Sequence, residues 1–160
     1  MQDISPKEFT DVIVPTGKIL ITMYNVITKK YDQDLVKNMF VTAGKNSLAD
    51  AMRGTTADTK GIITYCALGT SSTAPALSDT GLIAEIARKA ISVRSVSGNV
   101  ATFQTFFTTS EGNGTLREAG LYGDDATASA GTGTLFCRAA INRTKTSSDT
   151  LSLSWSVTIA

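Results

Sequence analysis

Hydrophobic and polar positions alternate most regularly at the end of the chain. Leu151, Leu153, Trp155, Val157 and Ile159 interleave with Ser152, Ser154, Ser156 and Thr158. A period of two predicts a half-buried β-strand with one apolar and one hydroxyl face. Those five apolar residues are the leading core candidates. Further apolar runs bounded by turn residues predict strands over residues 17–27, 35–41, 61–69, 89–96, 100–109, 115–123 and 134–143. Residues 28–34 read as a polar connection between the first two. Ser97-Gly98-Asn99 reads as a hairpin turn, and Glu111-Gly112-Asn113-Gly114 as a second one.

Two segments depart from this period. Thr42 can serve as the N-cap of a short helix in which Leu48, Ala51 and Met52 fall at helical spacing. Arg53 suits its negative end, and Gly54 is placed as the residue just past it. Glu85 and Arg88, three apart, predict a helical turn within residues 82–88.

Seven to nine strands with one short helix predict a mainly β fold, a β-sandwich or small barrel of antiparallel strands. One helix cannot make a bundle, so it covers a sheet edge or face. No clean internal repeat is visible. Residues 1–16 hold Pro6 and Pro15 and no clear period. They read as an N-terminal arm ordered by whatever it touches, with Asp11, Val12, Ile13, Val14 and Pro15 as its candidate interaction piece. Residues 17–160 then form a single β-rich domain.

Composition narrows the function. The chain has 160 residues, 42% hydrophobic and 18% charged, enough for one sizeable core. Fifteen basic and fourteen acidic side chains leave a net charge of +1. A nucleic-acid binder needs a basic excess to neutralise phosphates, so no nucleic-acid partner is expected. Histidine is absent. That removes the commonest general base, the commonest zinc ligand and any Ser-His or Cys-His dyad. The expectation is a protein that is not an enzyme and uses no cofactor or metal. The abundance of Thr and Ser suits a β-rich structural protein.

The N-terminus has no apolar core of a signal peptide, and no apolar run reaches membrane-spanning length. A soluble protein made in a cytoplasm, with no membrane partner, is expected. Cys66 and Cys137 each sit in an apolar run, which in that compartment reads as two buried, reduced thiols, with a disulfide as the alternative.

Other motifs are weak. Gly17-Lys18 lacks the rest of a phosphate loop, and the glycines at 112, 114, 131 and 133 are turn residues. Asp124, Asp125 and Thr127 offer fewer oxygens than calcium takes, so they read as a solvated loop. Glu111 and Glu118 suggest a glycosidase carboxylate pair, but nothing around them suggests a sugar cleft. Asn113-Gly114-Thr115 and Asn142-Arg143-Thr144 are glycosylation sequons without a secretory signal. Lys29, Lys30 and Lys37 read as a solvated hairpin tip, with an acidic partner as the alternative. Arg117 and Glu118 are adjacent within a strand and point to opposite faces. Either at least one of them faces a buried or interfacial environment, or both are surface charge on an edge strand.

Four stretches together carry a family resemblance. They are Val41-Thr42-Ala43-Gly44-Lys45-Asn46-Ser47-Leu48-Ala49, Ile63-Thr64-Tyr65-Cys66-Ala67-Leu68-Gly69-Thr70, Asp79-Thr80-Gly81-Leu82 with Glu85 and Arg88, and Leu116-Arg117-Glu118-Ala119-Gly120-Leu121-Tyr122. Their order resembles small bacteriophage virion proteins related to the N-terminal domain of phage tail-collar fibres. It covers roughly residues 41–159, and Arg-Glu-x-Gly-Leu-Tyr is its most specific piece. Glu85, Arg88, Arg117, Glu118 and Gly120 match the polar and glycine positions of the family motifs. The resemblance implies fold-defining charge pairing for the four charged residues and a tight backbone approach at Gly120, with none of them catalytic.

The expectation is therefore a non-enzymatic structural protein of a phage virion, in the tail, neck or fibre-attachment apparatus. Its partners would be itself, as a homo-oligomer and by analogy with fibres a trimer, and other virion proteins. It would reside in the virion, and in the host cytoplasm during assembly. A capsid decoration protein clamping neighbours with residues 1–16 is the first alternative. A host-carbohydrate-binding module is the second; only Trp155, four Tyr and six Phe are on offer for it.

Overall fold

The computed structural model describes residues 15–52 and 60–159. Strands account for 59% of them. In chain order the elements are β1 (Pro15–Asn25), β2 (Lys30–Phe40), α1 (Thr42–Ala51), β3 (Ile63–Gly69), β4 (Glu85–Ala90), β5 (Val93–Ser97), β6 (Val100–Phe107), β7 (Gly114–Gly123), β8 (Thr134–Lys145) and β9 (Asp149–Ile159). The nine strands form one antiparallel sheet in the order β4-β3-β7-β8-β2-β1-β9-β6-β5, curled into a half-barrel.

The curl pivots on β2. Residues 30–38 pair with β1, whereas only Met39 and Phe40 pair with β8. One half-sheet is thus β5-β6-β9-β1 with most of β2, and the other is β8-β7-β3-β4. Their concave faces meet in a single core. Ile19, Ile21, Leu151, Leu153 and Trp155 from the first half pack with Cys66, Leu68, Leu121, Phe136 and Cys137 from the second. Burying such side chains contributes roughly 1.5–3 kcal/mol each, against the entropy of ordering them. The two edge strands, β4 and β5, follow each other in sequence. Residues 91 and 92 carry the chain between them, with Ile91 donating to Thr64 and Ser92 to Gln104.

Alternation in β9 holds for Leu151, Leu153, Trp155 and Val157, all buried. Ile159 does not join the core and is 39% exposed. It lies at the strand's end opposite Pro15 and lines an open groove with Leu48, Ala51 and Met52. The arm boundary also moves. Pro15 and Thr16 belong to β1, paired with Ile159 and Thr158. Asp11, Val12, Ile13 and Val14 lie outside the described residues.

The β1–β2 hairpin is tighter than the polar connection expected over 28–34. Asn25 shapes a four-residue turn by accepting hydrogen bonds from the backbone N–H groups of Ile27 and Thr28. Strand pairing then resumes at Lys30, with the Tyr24 and Tyr31 rings 4.5 Å apart. At the β5–β6 hairpin, Gly98 adopts φ 56°, a left-handed value that a side chain disfavours.

The helix differs from its sequence reading. Val41, not Thr42, is its N-cap residue, and no side chain caps it. Its fully buried residues are Gly44 and Ser47; Leu48 packs half-buried against the core as expected, while Ala51 is exposed and Met52 is 83% exposed. A Cβ on Gly44 would lie 2.5 Å from the Cα of Phe136, so the missing side chain lets α1 lie directly on β8. Arg53 and Gly54 lie outside the described residues. No helical turn forms over 82–88: residues 85–88 belong to strand β4, and 82–84 are irregular. Leu68 and Gly69 pair with Ala87 and Glu85, which leaves Ile86 as an inserted bulge residue. The bulge resets the alternation, so Glu85 and Arg88 share a face although they are three apart.

Candidate functional site

The convex faces of the two half-sheets are built differently. Over β8-β7-β3-β4 lies a second layer made of α1 and the segments 70–84 and 124–133. Its small apolar centre is Val41, Ala67, Tyr122 and Leu135, with Leu82 and Ala126 against it.

A buried charge cluster holds that layer down. Glu118 projects outward from β7 and is fully buried. Its carboxylate accepts from the backbone N–H of Ala84 at 2.8 Å and of Ile83 at 3.2 Å. Its cationic partner is Arg138 of β8, not the adjacent Arg117. Arg138 Nε and Nη2 donate to Glu118 Oε2 at 3.0 and 2.8 Å. The same guanidinium donates to Asp79 Oδ2 at 2.7 Å and to the carbonyls of Thr73 and Ala74. All five N–H donors of the arginine are thereby engaged. Burial works against the charge on Arg138, but Asp79 and Glu118 outweigh it and raise its pKa. Burial also opposes the Asp79 carboxylate, yet the Ala76 N–H and Arg138 bring its pKa below the usual value.

Arg88 and Glu85 form a second pair on the same face. Arg88 Nε and Nη2 donate to the two Glu85 oxygens at 2.7 and 2.8 Å. Nη1 reaches the Thr132 carbonyl at 2.7 Å, and the guanidinium lies 4.0 Å from the centroid of the Tyr122 ring. The Tyr122 hydroxyl accepts from the Leu82 N–H at 2.7 Å. Space at Gly120 is tight, and a side chain there would require Leu135 and Leu82 to give way by a few tenths of an ångström. A Cβ there would lie 3.0 Å from Leu135 Cδ1 and 3.1 Å from Leu82 Cδ2. Of the five motif positions, four therefore converge under the loop layer. Arg117 is half-buried, and its side chain makes no hydrogen bond or ion pair among the described residues.

The other candidate chemistry is dispersed. Asp124 is buried and accepts from the Ser47 hydroxyl at 2.7 and 2.9 Å and from the Gly61 N–H, with Lys60 at 3.7 Å. It latches α1 to the sheet rather than sharing a donor set with Thr127, which bonds Thr132. Glu111 pairs with Lys89 at 2.6 Å, a contact that holds its pKa down to about 2, aided by the Thr108 N–H. Glu111 and Glu118 have separate partners and share none. Lys145 is buried against the Thr108 carbonyl and Asn113 Oδ1, and burial lowers its pKa. Both cysteines are free and buried. Burial pushes the Cys66 thiol up to about 12, so it is no nucleophile at neutral pH.

The convex face of the first half-sheet has no second layer among the described residues. Alternation and register place Ser152, Ser154, Ser156 and Thr158 beside Lys18, Leu20 and Thr22 on one side and Thr102, Gln104 and Phe106 on the other. Leu20, Phe106 and Val93 are about half exposed, and Leu35 is 60% exposed. Lys18 and Lys37 are the only charges that register places on this face among the described residues, and they lie directly opposite each other.

At its lower edge two grooves meet. One, about 600 Å³, has Lys18, Lys37 and Lys45 among its lining. The other, about 530 Å³, is apolar and lined by Leu48, Ala51, Met52 and Ile159. Pro15 and Lys45 line both. The sequence signal for this surface was present in the serine face of β9. Arg138 carried a signal too, as the one charge in the apolar run 135–141. No family model, curated protein or solved structure matches this chain.

Proposed function

We propose that this protein is a non-enzymatic structural component of a bacteriophage virion, in the tail, neck or fibre-attachment apparatus, assembling as a homo-oligomer. The observation that carries the reading is the bare convex face of β5-β6-β9-β1-β2. It is broad, almost free of charge, and studded with half-exposed Leu20, Leu35 and Phe106. Hydroxyl and apolar groups at that density suit burial against another subunit. The buried charged groups support the same reading. Glu118, Arg138, Asp124 and Lys145 are each held by partners that tie loops or turns to the sheet, and none converges on a cleft. The four-stretch resemblance described above supplies the phage context. A trimer is the proposed stoichiometry, and the virion is the proposed location.

Mass spectrometry of purified particles tests the reading. The chain should be present at a small copy number that is a multiple of three. A copy number scaling with the capsid lattice would favour the decoration alternative. Absence from purified virions would reject both.

A further inference from the structure

The bare face is bordered by two strands that each leave one edge unpaired. Among the described residues, β5 pairs only with β6, and residues 30–38 of β2 pair only with β1. The registers fix where the free backbone groups point. At the β5–β6 hairpin the two-residue turn, with Gly98 at positive φ, makes Ser97 and Val100 a hydrogen-bonded pair. By alternation, Arg94 and Val96 aim their N–H and C=O groups outward. In β2 the pairing with β8 at Met39 and Phe40 runs on to the Val41 N–H, which donates to the Phe136 carbonyl. Odd-numbered residues of β2 therefore face β8. Where the two strands part, Gln33, Leu35 and Lys37 aim their backbone groups at no described strand. An open space of about 380 Å³ lies beside this edge, between Val36, Lys37, Pro75 and Ala140.

The side chains of the two edges are complementary. Register carries Arg94 and Val96 onto the core side of the sheet, in line with Phe103 and Ala101. It carries Asp34 and Val36 onto the same side, in line with Ile21 and Ile19. Arg94 is exposed and makes no hydrogen bond or ion pair among the described residues. Val96 is 76% exposed. The Asp34 side chain is 44% exposed, and its one ion-pair contact is Arg143 at 3.5 Å.

We infer that β5 of one copy adds to β2 of a second copy as a parallel strand, with Arg94 beside Asp34 and Val96 beside Val36. The contact rests on the homo-oligomer proposed above and names where one subunit grips the next. Three features select this partner and register. Parallel addition lets the outward groups of Arg94 and Val96 meet those of Gln33, Leu35 and Lys37, while every side chain stays on its own side of the sheet. Antiparallel addition in the same plane would match those groups only by setting core-side residues opposite bare-side ones. β2 and β5 also run in the same direction, because three strands of alternating direction lie between them. Repeating the contact by rotation therefore closes a ring, as a trimer requires. A β5–β5 contact between two copies would instead bring two uncompensated arginines onto one side of the joined sheet. On the bare side the inferred register sets Leu35 beside Ser95, so the contact borders the face proposed to meet other subunits.

Oxidation of a full-length chain carrying Val36→Cys and Val96→Cys tests the contact. The native thiols are buried. Within one copy the two positions lie four strand spacings apart, about 19 Å along the sheet, which no disulfide spans. A bond between them therefore forms only between copies. Non-reducing gels should show covalent three-chain species. Their yield should exceed by at least tenfold that of a chain with Gln33→Cys and Val96→Cys, whose thiols face opposite sides of the sheet. Arg94→Glu should lower the yield severalfold, and Arg94→Lys should retain it. Yields equal to the control would overturn the inference, as would covalent species that stop at two chains after exhaustive oxidation. Ultracentrifugation of the wild type separates the contact from the reading it rests on. A trimer whose Val36→Cys, Val96→Cys variant stays at the control yield refutes the contact alone. A monomer refutes the homo-oligomer and the contact together. Cross-linking by a chain absent from virions upholds the contact and refutes the virion role.

Discussion

The two convex faces of this curled sheet share one core and differ in everything outside it. Over β8-β7-β3-β4, two arginines tie crossing segments to the sheet, and Glu118 caps two backbone N–H groups. Over β5-β6-β9-β1-β2, serine and threonine side chains meet solvent beside half-exposed leucines. The first face is closed by its own chain. The second has nothing from its own described chain to close it, and we propose that another subunit does so. The contrast teaches that buried charge here serves to order loops, whereas the face left to solvent carries only Lys18 and Lys37 among the described residues.

Predictions that break or sharpen this contrast run from large to small. Trp155→Asp should abolish folding, because it places an unpaired charge in the core that both faces share. Circular dichroism checks it, and a soluble folded variant would contradict the strand orientation. Arg138→Ala should cost about 3–5 kcal/mol in urea unfolding, since it leaves Glu118 buried without its counter-charge. Protease cleavage within residues 70–84 should rise with it, while the bare face stays intact. Gly44→Val should cost about 1–3 kcal/mol by pushing α1 off β8.

The pH dependence belongs to the carboxylates. Asp79, Asp149 and Glu111 all have folded pKa values below their ordinary ones. Their contribution to stability is fully present above the unfolded carboxylate range and is lost as pH falls through the folded values. For Glu111 that window runs from about 4.5 down to about 2. Urea midpoints measured across it should decline, and a flat profile would contradict the pairing with Lys89. Smallest in stability is Leu35→Ser on the bare face, expected within about 0.5 kcal/mol of wild type. Its effect should instead appear in self-association.

How legible these regions were follows from their burial. β9 is covered on one side only, so its alternation could be read directly, up to Ile159, which opens into the groove beside α1. In β8, Leu135, Phe136, Cys137, Arg138 and Ala139 are buried in succession, because the core lies on one side and the loop layer on the other. Two-sided burial erases the period that would have marked Arg138 as outward-facing. The bulge at Ile86 has no signature in sequence, and without it Glu85 and Arg88 read as helical neighbours. The fully buried positions of α1 are Gly44 and Ser47, which do not register as apolar, whereas Leu48, legible at helical spacing, is half-buried against the core. The four motif positions that meet under the loops come from β4 and β7, and only the sheet brings them together. Asp79 and Arg138, which complete the cluster, lie in a loop and in β8.

The central claim is that the bare face is where subunits meet. Analytical ultracentrifugation of the wild type and of a Leu20→Lys, Leu35→Lys variant tests it most directly. The account predicts a trimer for the wild type, and for the variant a monomer that keeps the wild-type circular dichroism spectrum but loses the stability that association adds. A wild-type chain that stays monomeric at tens of micromolar, or a variant that still assembles, would contradict it.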